Sequence, residues 1–375
     1  MNVLINLSHL KIGGGQNVGL NFISTLKLIN TDEFNFVFIA AKNSIIHNFL
    51  KENNFSNIYL YPNNPIFRAI KELFYSKKIL KNHSIDIIYN YFGGDFIPVN
   101  IKRVIGAADS NLYFPEIDFW VEYKPIQKLI RKIIDVNRIW VLKNATAVVF
   151  ENGFLQQRGK ELFNLKETKL IKPSIKDFTL DNKDLLLSFP KDTIVGLFFC
   201  GWQKNKNYMI IPELAKELKS QNIKYHFIIT ASQNNSFEHN EFLNSLNIND
   251  VQEMVSIIGP VHKKNISNLY NSIDHVFLLS KLESFSNNII ESWYYKKPLI
   301  ISNENWAKYL CLNSACYVDR NSIESIVLGI KMIINDKLYK NQLISDAIKI
   351  LETYPSVKER TISELKYLKY VYKNY

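Results

Sequence analysis

Cysteine is scarce in this chain: Cys200, Cys311 and Cys316 are the only three among 375 residues. Their number is odd and their spacing unpaired, so no disulfide framework is written here, and burial as small apolar side chains is their expected fate. Seven histidines are scattered, with no HExxH and no CxxC, so no residue pattern calls for a zinc site. Long apolar runs are missing too. Val37–Ala41 and Val276–Leu279 are strand-sized, far short of the roughly 20 residues that a spanning helix needs. The opening MNVLINLSHL has neither a basic n-region nor a small-residue cleavage site and reads as a first strand. A cytoplasmic location is the expectation.

Positive charge is in excess: 46 Lys and Arg stand against 35 Asp and Glu. Residues 1–180 hold 23 of these cations and 15 of the acids, a net +8, and the remainder holds only +3. Nucleic acid, anionic lipid and anionic substrate all fit such an excess, and so does a plain Lys-, Ile- and Asn-rich coding bias.

Short β-branched or aromatic runs alternate with helix-period stretches throughout. Strands are predicted at Asn2–Leu7, Phe34–Ala40, Asn57–Tyr61, Ile85–Tyr89, Arg103–Ala107, Ala147–Phe150 and Lys169–Lys172. They continue at Thr193–Cys200, Lys224–Thr230, Met254–Ile258, His275–Ser280, Pro298–Ile301 and Ala315–Val318. Helices are predicted over Gln16–Ile29, Ser44–Asn53, Phe67–Lys81, Pro125–Lys143, Met209–Ser220, Asn265–Asn271, Asn288–Tyr295, Ile323–Ile334 and Lys340–Leu351. Apolar strands alternating with helices imply parallel sheets covered on both faces. The polar stretch Asp177–Asp192 breaks the rhythm and reads as a linker. The expectation is two doubly wound, Rossmann-like domains, 1–180 and 181–356, facing across a cleft. A terminal helix, about 357–375, has no strand of its own to cover and is expected to pack back on the first domain.

Ligands of doubly wound sheets bind beyond the carboxyl ends of the strands, so the loops there carry the chemistry. After the strand ending at Ser280, Glu283 stands in a loop, Asn287 or Asn288 is placed to cap the next helix, and Glu291 falls one turn inside it. A helix start favours a diphosphate, and a carboxylate one turn in suits a ribose diol. On spacing alone, a solvated loop acid and a helix-start charge fit equally well. Gly13, Gly14 and Gly15 after the first strand place bare N–H groups before a helix, or simply make a turn. Gly201 with Lys204 and Lys206 suits phosphate oxygens, or is a solvated Lys/Asn turn. Asp109 after the Arg103–Ala107 strand is aimed into a site or opens a turn. Gly259 to His262 offers backbone groups to a base edge or makes a strand-to-helix turn.

In order and spacing these features resemble the family-4 retaining glycosyltransferases (glycosyl transferases group 1) of the GT-B fold. Glu283 and Glu291 match that family's pair of glutamates seven residues apart, with Phe285 at its Phe; Ser284 and Ser286 stand where the family carries glycines. Val255–Val261 resembles its V-x-F-x-G-x-V segment, and Leu269-Tyr270 with Ile273-Asp274 its LY…AD stretch. Trp202 stands in place of an arginine, in a loop about one residue short, so either Lys204 or Lys206 matches the phosphate lysine. The resemblance covers most of Thr193–Ile301, and the first domain at the glycine loop and Asp109.

The resemblance implies a two-domain enzyme that moves a hexose from a nucleoside diphosphate sugar to a hydroxyl of a glycan or lipid-linked glycan. Retention, independence of metal and of any cofactor, and a role in cell-surface polysaccharide synthesis go with it. It implies that Glu291 holds the ribose and Glu283 the sugar hydroxyls. Gly201, the lysine, and the N–H groups around Phe285, Ser286, Asn287 and Asn288 would hold the diphosphate. Val261 would lie at the base, Gly14 and Gly15 at the phosphates, and Asp109 near the donor sugar. The basic, amphipathic stretches Phe67–Lys81 and Pro125–Lys143 either cover a sheet or lie on an anionic membrane surface, which would place the enzyme peripherally on the inner face. The competing readings are a nucleotide-sugar epimerase on the same fold and a basic nucleic-acid-binding protein, the latter without any recognition module.

Overall fold

A computed structural model describes residues 1–11, 13–97, 101–121, 123–175 and 189–375. The chain divides into two compact units, residues 1–175 with 355–375, and residues 176–354. Most of the linker expected at Asp177–Asp192, and the boundary at 180/181, lie outside the described residues.

In the first unit the elements run β1 (Asn2–Asn6), α1 (Gly13–Leu26), β2 (Asn35–Ala41), α2 (Ile45–Glu52), β3 (Ile58–Tyr61), α3 (Pro65–Asn82), β4 (Ile87–Asn90), β5 (Lys102–Ala107), α4 (Pro125–Lys143), β6 (Ala147–Phe150), α5 (Gly153–Phe163) and β7 (Thr168–Leu170). The described strands form one parallel sheet in the order β3-β2-β1-β4-β5-β6-β7. Side chains alternate across it. Val3, Ile5 and Val104 face a core with Phe22, Ile23 and Ile46, whereas Leu4, Val37 and Ile88 face Ile79 and Leu80 of α3. Both faces are covered, which is why these strands read as continuous apolar runs rather than alternating ones. The three glycines are not a loop ahead of the helix, as the sequence suggested: Gly13–Gly15 form the first turn of α1.

The second unit contains β8 (Ile194–Phe198), α6 (Ile211–Ser220), β9 (Tyr225–Ile229), α7 (Phe237–Asn249), β10 (Val255–Ile257), α8 (Ile266–Asn271), β11 (His275–Leu278), α9 (Asn287–Tyr294), β12 (Leu299–Ser302), α10 (Asn305–Cys311), β13 (Cys316–Val318), α11 (Ile323–Asn335) and α12 (Lys337–Leu351). Its described strands are parallel in the order β10-β9-β8-β11-β12-β13. In both sheets the winding direction reverses beside the first strand, between β1 and β4 and between β8 and β11. Ligands of doubly wound sheets bind at the carboxyl ends of two such strands.

The last helix, α13 (Val357–Asn374), belongs to the first unit, where Leu365, Leu368 and Val371 join the core on the α1 side. It is started by a reciprocal Ser356–Glu359 capping box. Arg360, fully buried, lies 2.6 Å from Glu151 and 3.1 Å from Glu364, and the Tyr91 hydroxyl donates to Glu364 at 3.1 Å. Burial pushes the Glu364 carboxyl up while the Arg360 guanidinium pulls it back.

Candidate functional site

The reversal point of the second sheet is built from β8 and β11, paired through Gly196↔His275 and Phe198↔Phe277. Their apolar residues drive both strands into the core, so the chain emerges from them side by side, as Cys200–Asn207 and Leu279–Ser286. Asn205 stitches the two loops together. Its side-chain amide donates to the Leu282 carbonyl at 2.9 Å, its side-chain oxygen accepts the Leu282 N–H at 3.1 Å, and its own carbonyl accepts Lys281 N–H at 3.0 Å. Asn207, in the left-handed region at φ 57°, donates to the Arg320 carbonyl, and Arg320 Nε donates to Leu279 O at 3.1 Å. With the loops locked in this register, Lys206 Nζ and Glu283 Oε1 meet at 2.5 Å, both mostly shielded from solvent. Lys204, at the other end of the same short turn, is exposed. Cys200 lies near the pair, and burial pushes its thiol up to about 12. Gly201 begins the loop, its N–H held by the Gln203 side chain at 3.1 Å. Trp202 turns away into the core, with its ring against Tyr208, His239 and Phe242 and its Nε1–H donated to the Ser232 carbonyl at 2.7 Å. The residue in the family's arginine position is therefore a structural one here.

Beyond the second loop, α9 begins. The sequence reading gave its cap to Asn287 or Asn288; instead Ser286 is the N-cap, in extended conformation and without a side-chain capping bond. Asn287 and Asn288 are the first two helical residues, and the Asn288 amide is spent on the Phe199 carbonyl at 2.9 Å, tying α9 to the end of β8. No acid occupies the first turn, so the positive end of the helix is not neutralised by its own side chains. Phe285 is half-buried with its ring 6.1 Å from Tyr354. One turn further in, Glu291 is only 6% exposed. Its Oε2 accepts from the Tyr270 hydroxyl at 3.2 Å, and that ring stacks on Tyr295.

The structure thus brings Gly201, Lys206, Glu283, Phe285, Ser286, Asn287, Asn288 and Glu291 into the two loops that leave β8 and β11 and the helix that follows. Val261 follows β10, which β9 separates from β8. It is half-buried, after a turn in which Gly259 takes φ +77° with open space where a Cβ would stand. Sequence reasoning missed Asn205 and Tyr270 as organisers of the site. Their partners lie 77 and 21 residues away, and no local pattern encodes such pairings.

In the first unit, Gly14 is exposed and Gly15 half-buried at the start of α1. Asp109 lies just past β5 and meets Arg138 of α4 at 3.2 Å; Arg138 also reaches Asp135 at 3.3 Å. Asp109 and Arg138 line a water-sized hollow with Gly93, Gly94 and Tyr113. Burial raises the Asp109 carboxyl, opposed by Arg138. His9, half-buried after β1, is held neutral: desolvation of its ring first, then the nearby guanidinium of Arg68, lowers it to about 3.

Residues 187–350 match the family model of glycosyl transferases group 1, a span that contains every candidate site residue of the second unit. No curated protein matches the chain in sequence. Solved structures similar to it over essentially the whole length include sucrose-phosphate synthase from Thermosynechococcus elongatus, with a TM-score of 0.77, 10% identity and 100% of each chain covered. A glycosyltransferase from Rickettsia africae gives 0.72 at 17% identity, covering 100% of this chain and 99% of that one. HepE from Anabaena, solved with UDP and glucose, gives 0.70 at 16%, covering 99% and 100%. At these identities the likeness speaks for the fold, two parallel α/β domains of the GT-B type, and the family match speaks for the chemistry. The second unit carries a glycosyl transferases group 1 domain, and the chain is a glycosyltransferase of the GT-B fold.

Proposed function

We propose that the β8/β11 edge binds the diphosphate and ribose of a nucleoside diphosphate sugar, and that the enzyme passes the sugar, a hexose, to a hydroxyl with retention of anomeric configuration, as in family 4. The observation that carries this reading is the Lys206–Glu283 pair, held in the loops that leave β8 and β11, the second of which runs into the unneutralised start of α9 with Glu291 buried one turn further in. As the glycosidic bond to the diphosphate breaks, negative charge grows on the leaving oxygens. Lys206 and the N–H groups of Asn287 and Asn288 are fixed before the reaction, so they stabilise that charge without reorganising. Lys206 and these N–H groups would take the place of a bridging metal in this reading. Glu283, oriented by Lys206, takes the donor-sugar hydroxyls; Glu291, oriented by Tyr270, takes the ribose diol; Val261 packs at the base; Gly201 lets the backbone approach. Of the two candidate lysines, the geometry favours Lys206, because Lys204 points to solvent. In the first unit Gly14, Gly15 and Asp109 keep the phosphate- and sugar-facing roles that the family resemblance implies.

HepE structures were obtained with UDP and with UDP-glucose, which supports a nucleotide-sugar donor. The acceptor is read as a glycan or lipid-linked glycan of cell-surface polysaccharide synthesis, met at the inner face of the membrane. The test is product analysis with a panel of nucleoside diphosphate sugars, with and without glycan acceptors, in the presence of EDTA. Acceptor-dependent nucleotide release with an unchanged anomeric configuration is expected. Nucleotide release or a rearranged sugar without any acceptor would instead make the protein an epimerase.

A further inference from the structure

The first unit turns apolar residues outward on two helices that cover the same sheet face. The inner side of α3 packs Ile79 and Leu80 against Leu4 and Ile88. Val141 and Leu142 of α4 line the same hollow as Ile105, which lies on that face too, opposite in parity to Val104. Beyond those two residues α4 buries nothing. Ile126, Leu129, Ile130, Ile133 and Trp140 recur at helical spacing along one side of it, and all five are at least half exposed, from 52% at Ile130 to 75% at Ile126. On α3, Ile66, Ile70, Leu73 and Phe74 form a second outward stripe, with Phe74 at 74%. An open groove lined by Tyr59, Phe67, Ile70, Tyr75 and Lys78 continues it towards β3. The sequence reading left these helices as sheet covers or membrane binders. A helix that merely covers a sheet keeps its apolar stripe inward, and these two keep a second one outward.

Charge accompanies the apolar faces. The helices α3 and α4 each carry five Lys or Arg and one acid, so 37 residues supply a net +8, equal to the whole excess of residues 1–180. Lys77 and Lys81 share the outward side of α3 with Ile70 and Phe74, and Lys132 and Lys143 border the stripe on α4. Apolar side chains flanked by cations that reach past them suit an interface between acyl chains and anionic headgroups. A second copy docked about a two-fold axis would bring the same +8 patch against itself. A nucleic acid would satisfy the cations but leave the Ile and Leu stripes in water.

We infer that the outward faces of α3 and α4 form a docking surface for an anionic lipid bilayer, with Leu129, Ile133, Ile70 and Phe74 entering the headgroup boundary and the lysines contacting the lipid charges. This deepens, and rests on, the membrane-side acceptor proposed above. It would bring the first unit to an acceptor whose lipid stays in the bilayer.

The test is flotation of the full chain with vesicles of phosphatidylcholine alone or with about 30% phosphatidylglycerol, at about 0.1 M and about 0.5 M salt, where screening shortens the reach of the lipid charges. Binding is expected only to the anionic vesicles, and is expected to weaken strongly at high salt. Each lysine near such a surface contributes about 1 kcal/mol, roughly fivefold, so Lys77→Gln with Lys81→Gln should weaken partitioning by about 25-fold. Leu129→Ser with Ile133→Ser should weaken it by about tenfold or more through lost apolar burial. Far-UV circular dichroism and UDP affinity should be unchanged in both variants, because the altered residues are solvent-exposed and lie in the other unit from the donor site. A wild-type protein that binds UDP but does not float, or variants that float like wild type, would overturn the docking surface and leave the donor site standing. Lost UDP binding in a protein that floats would do the reverse. A wild-type dimer dispersed by Leu129→Ser with Ile133→Ser would assign the face to a second copy and refute the lipid partner.

Discussion

Replacing Glu291 by Gln tests the proposed ribose contact. The wild-type carboxylate is 6% exposed and already oriented by the Tyr270 hydroxyl at 3.2 Å, so the cost of holding it in place is met before the donor arrives. Gln keeps the volume and an oxygen for Tyr270 but removes the charge and one acceptor. Hydrogen bonds to a charged group contribute about 1.5–3 kcal/mol each; losing one corresponds to about 10- to 150-fold in Kd. Calorimetric titration with UDP should show that loss, with a near-native thermal melt. Inorganic pyrophosphate lacks the ribose, and its affinity should change by less than about threefold, since the charged contacts to the diphosphate are untouched. An unchanged UDP affinity in a folded variant, or an equal loss for pyrophosphate, would refute the assignment of Glu291 to the diol.

Lys206→Ala should lower kcat/KM by about 10²- to 10³-fold, the usual cost of deleting one group that stabilises transition-state charge, while Lys204→Ala should stay within about threefold; steady-state transfer assays distinguish them. Arg360→Met leaves Glu151 and Glu364 buried without their shared cation and should cost about 3–5 kcal/mol in urea unfolding of the first unit. Glu72, fully buried, is raised by desolvation from the usual range to about 7. The fold therefore favours its protonated form. Its contribution is complete below about pH 4.5 and is lost as pH rises through about 7, at most about 3 kcal/mol. His9 and His275, both lowered to about 3 by burial, add the opposite slope below about pH 6.5. The difference between wild type and Glu72→Gln in melts from pH 4 to 8 should thus shrink steadily and favour the variant at the alkaline end; a pH-independent difference would contradict the burial argument.

Much of the fold was legible because strands covered on both faces are apolar throughout and are separated by polar turns; Pro125–Lys143 coincides with α4. Three helices escaped notice. The sequence of α7, FEHNEFLNSLNIN, is rich in asparagine, a poor helix former, and only His239, Phe242 and Leu246 mark its buried side. α10 is seven residues long, and the polar middle of α5, QQRGKE, masks its period. The order β3-β2-β1-β4 and its counterpart in the second unit were not legible, since pairing partners leave no trace in a single strand. At the candidate site, residue types and spacing singled out Glu283, Glu291 and the lysine loop as candidates. The preference for Lys206 over Lys204 proposed above rests on the loop register that the Asn205 bridge sets, and the place of Trp202 rests on the aromatic core that receives it. The outward stripes of α3 and α4 were visible only as amphipathicity, because a sequence does not say which side of a helix the sheet occupies.

The most direct measurement is a crystal structure of the protein grown with UDP. Diphosphate oxygens are expected within about 3 Å of Lys206 Nζ and of the N–H groups of Asn287 and Asn288, with the ribose hydroxyls on Glu291. A nucleotide bound elsewhere, with the Lys206–Glu283 pair unchanged and no ligand at the start of α9, would contradict this placement.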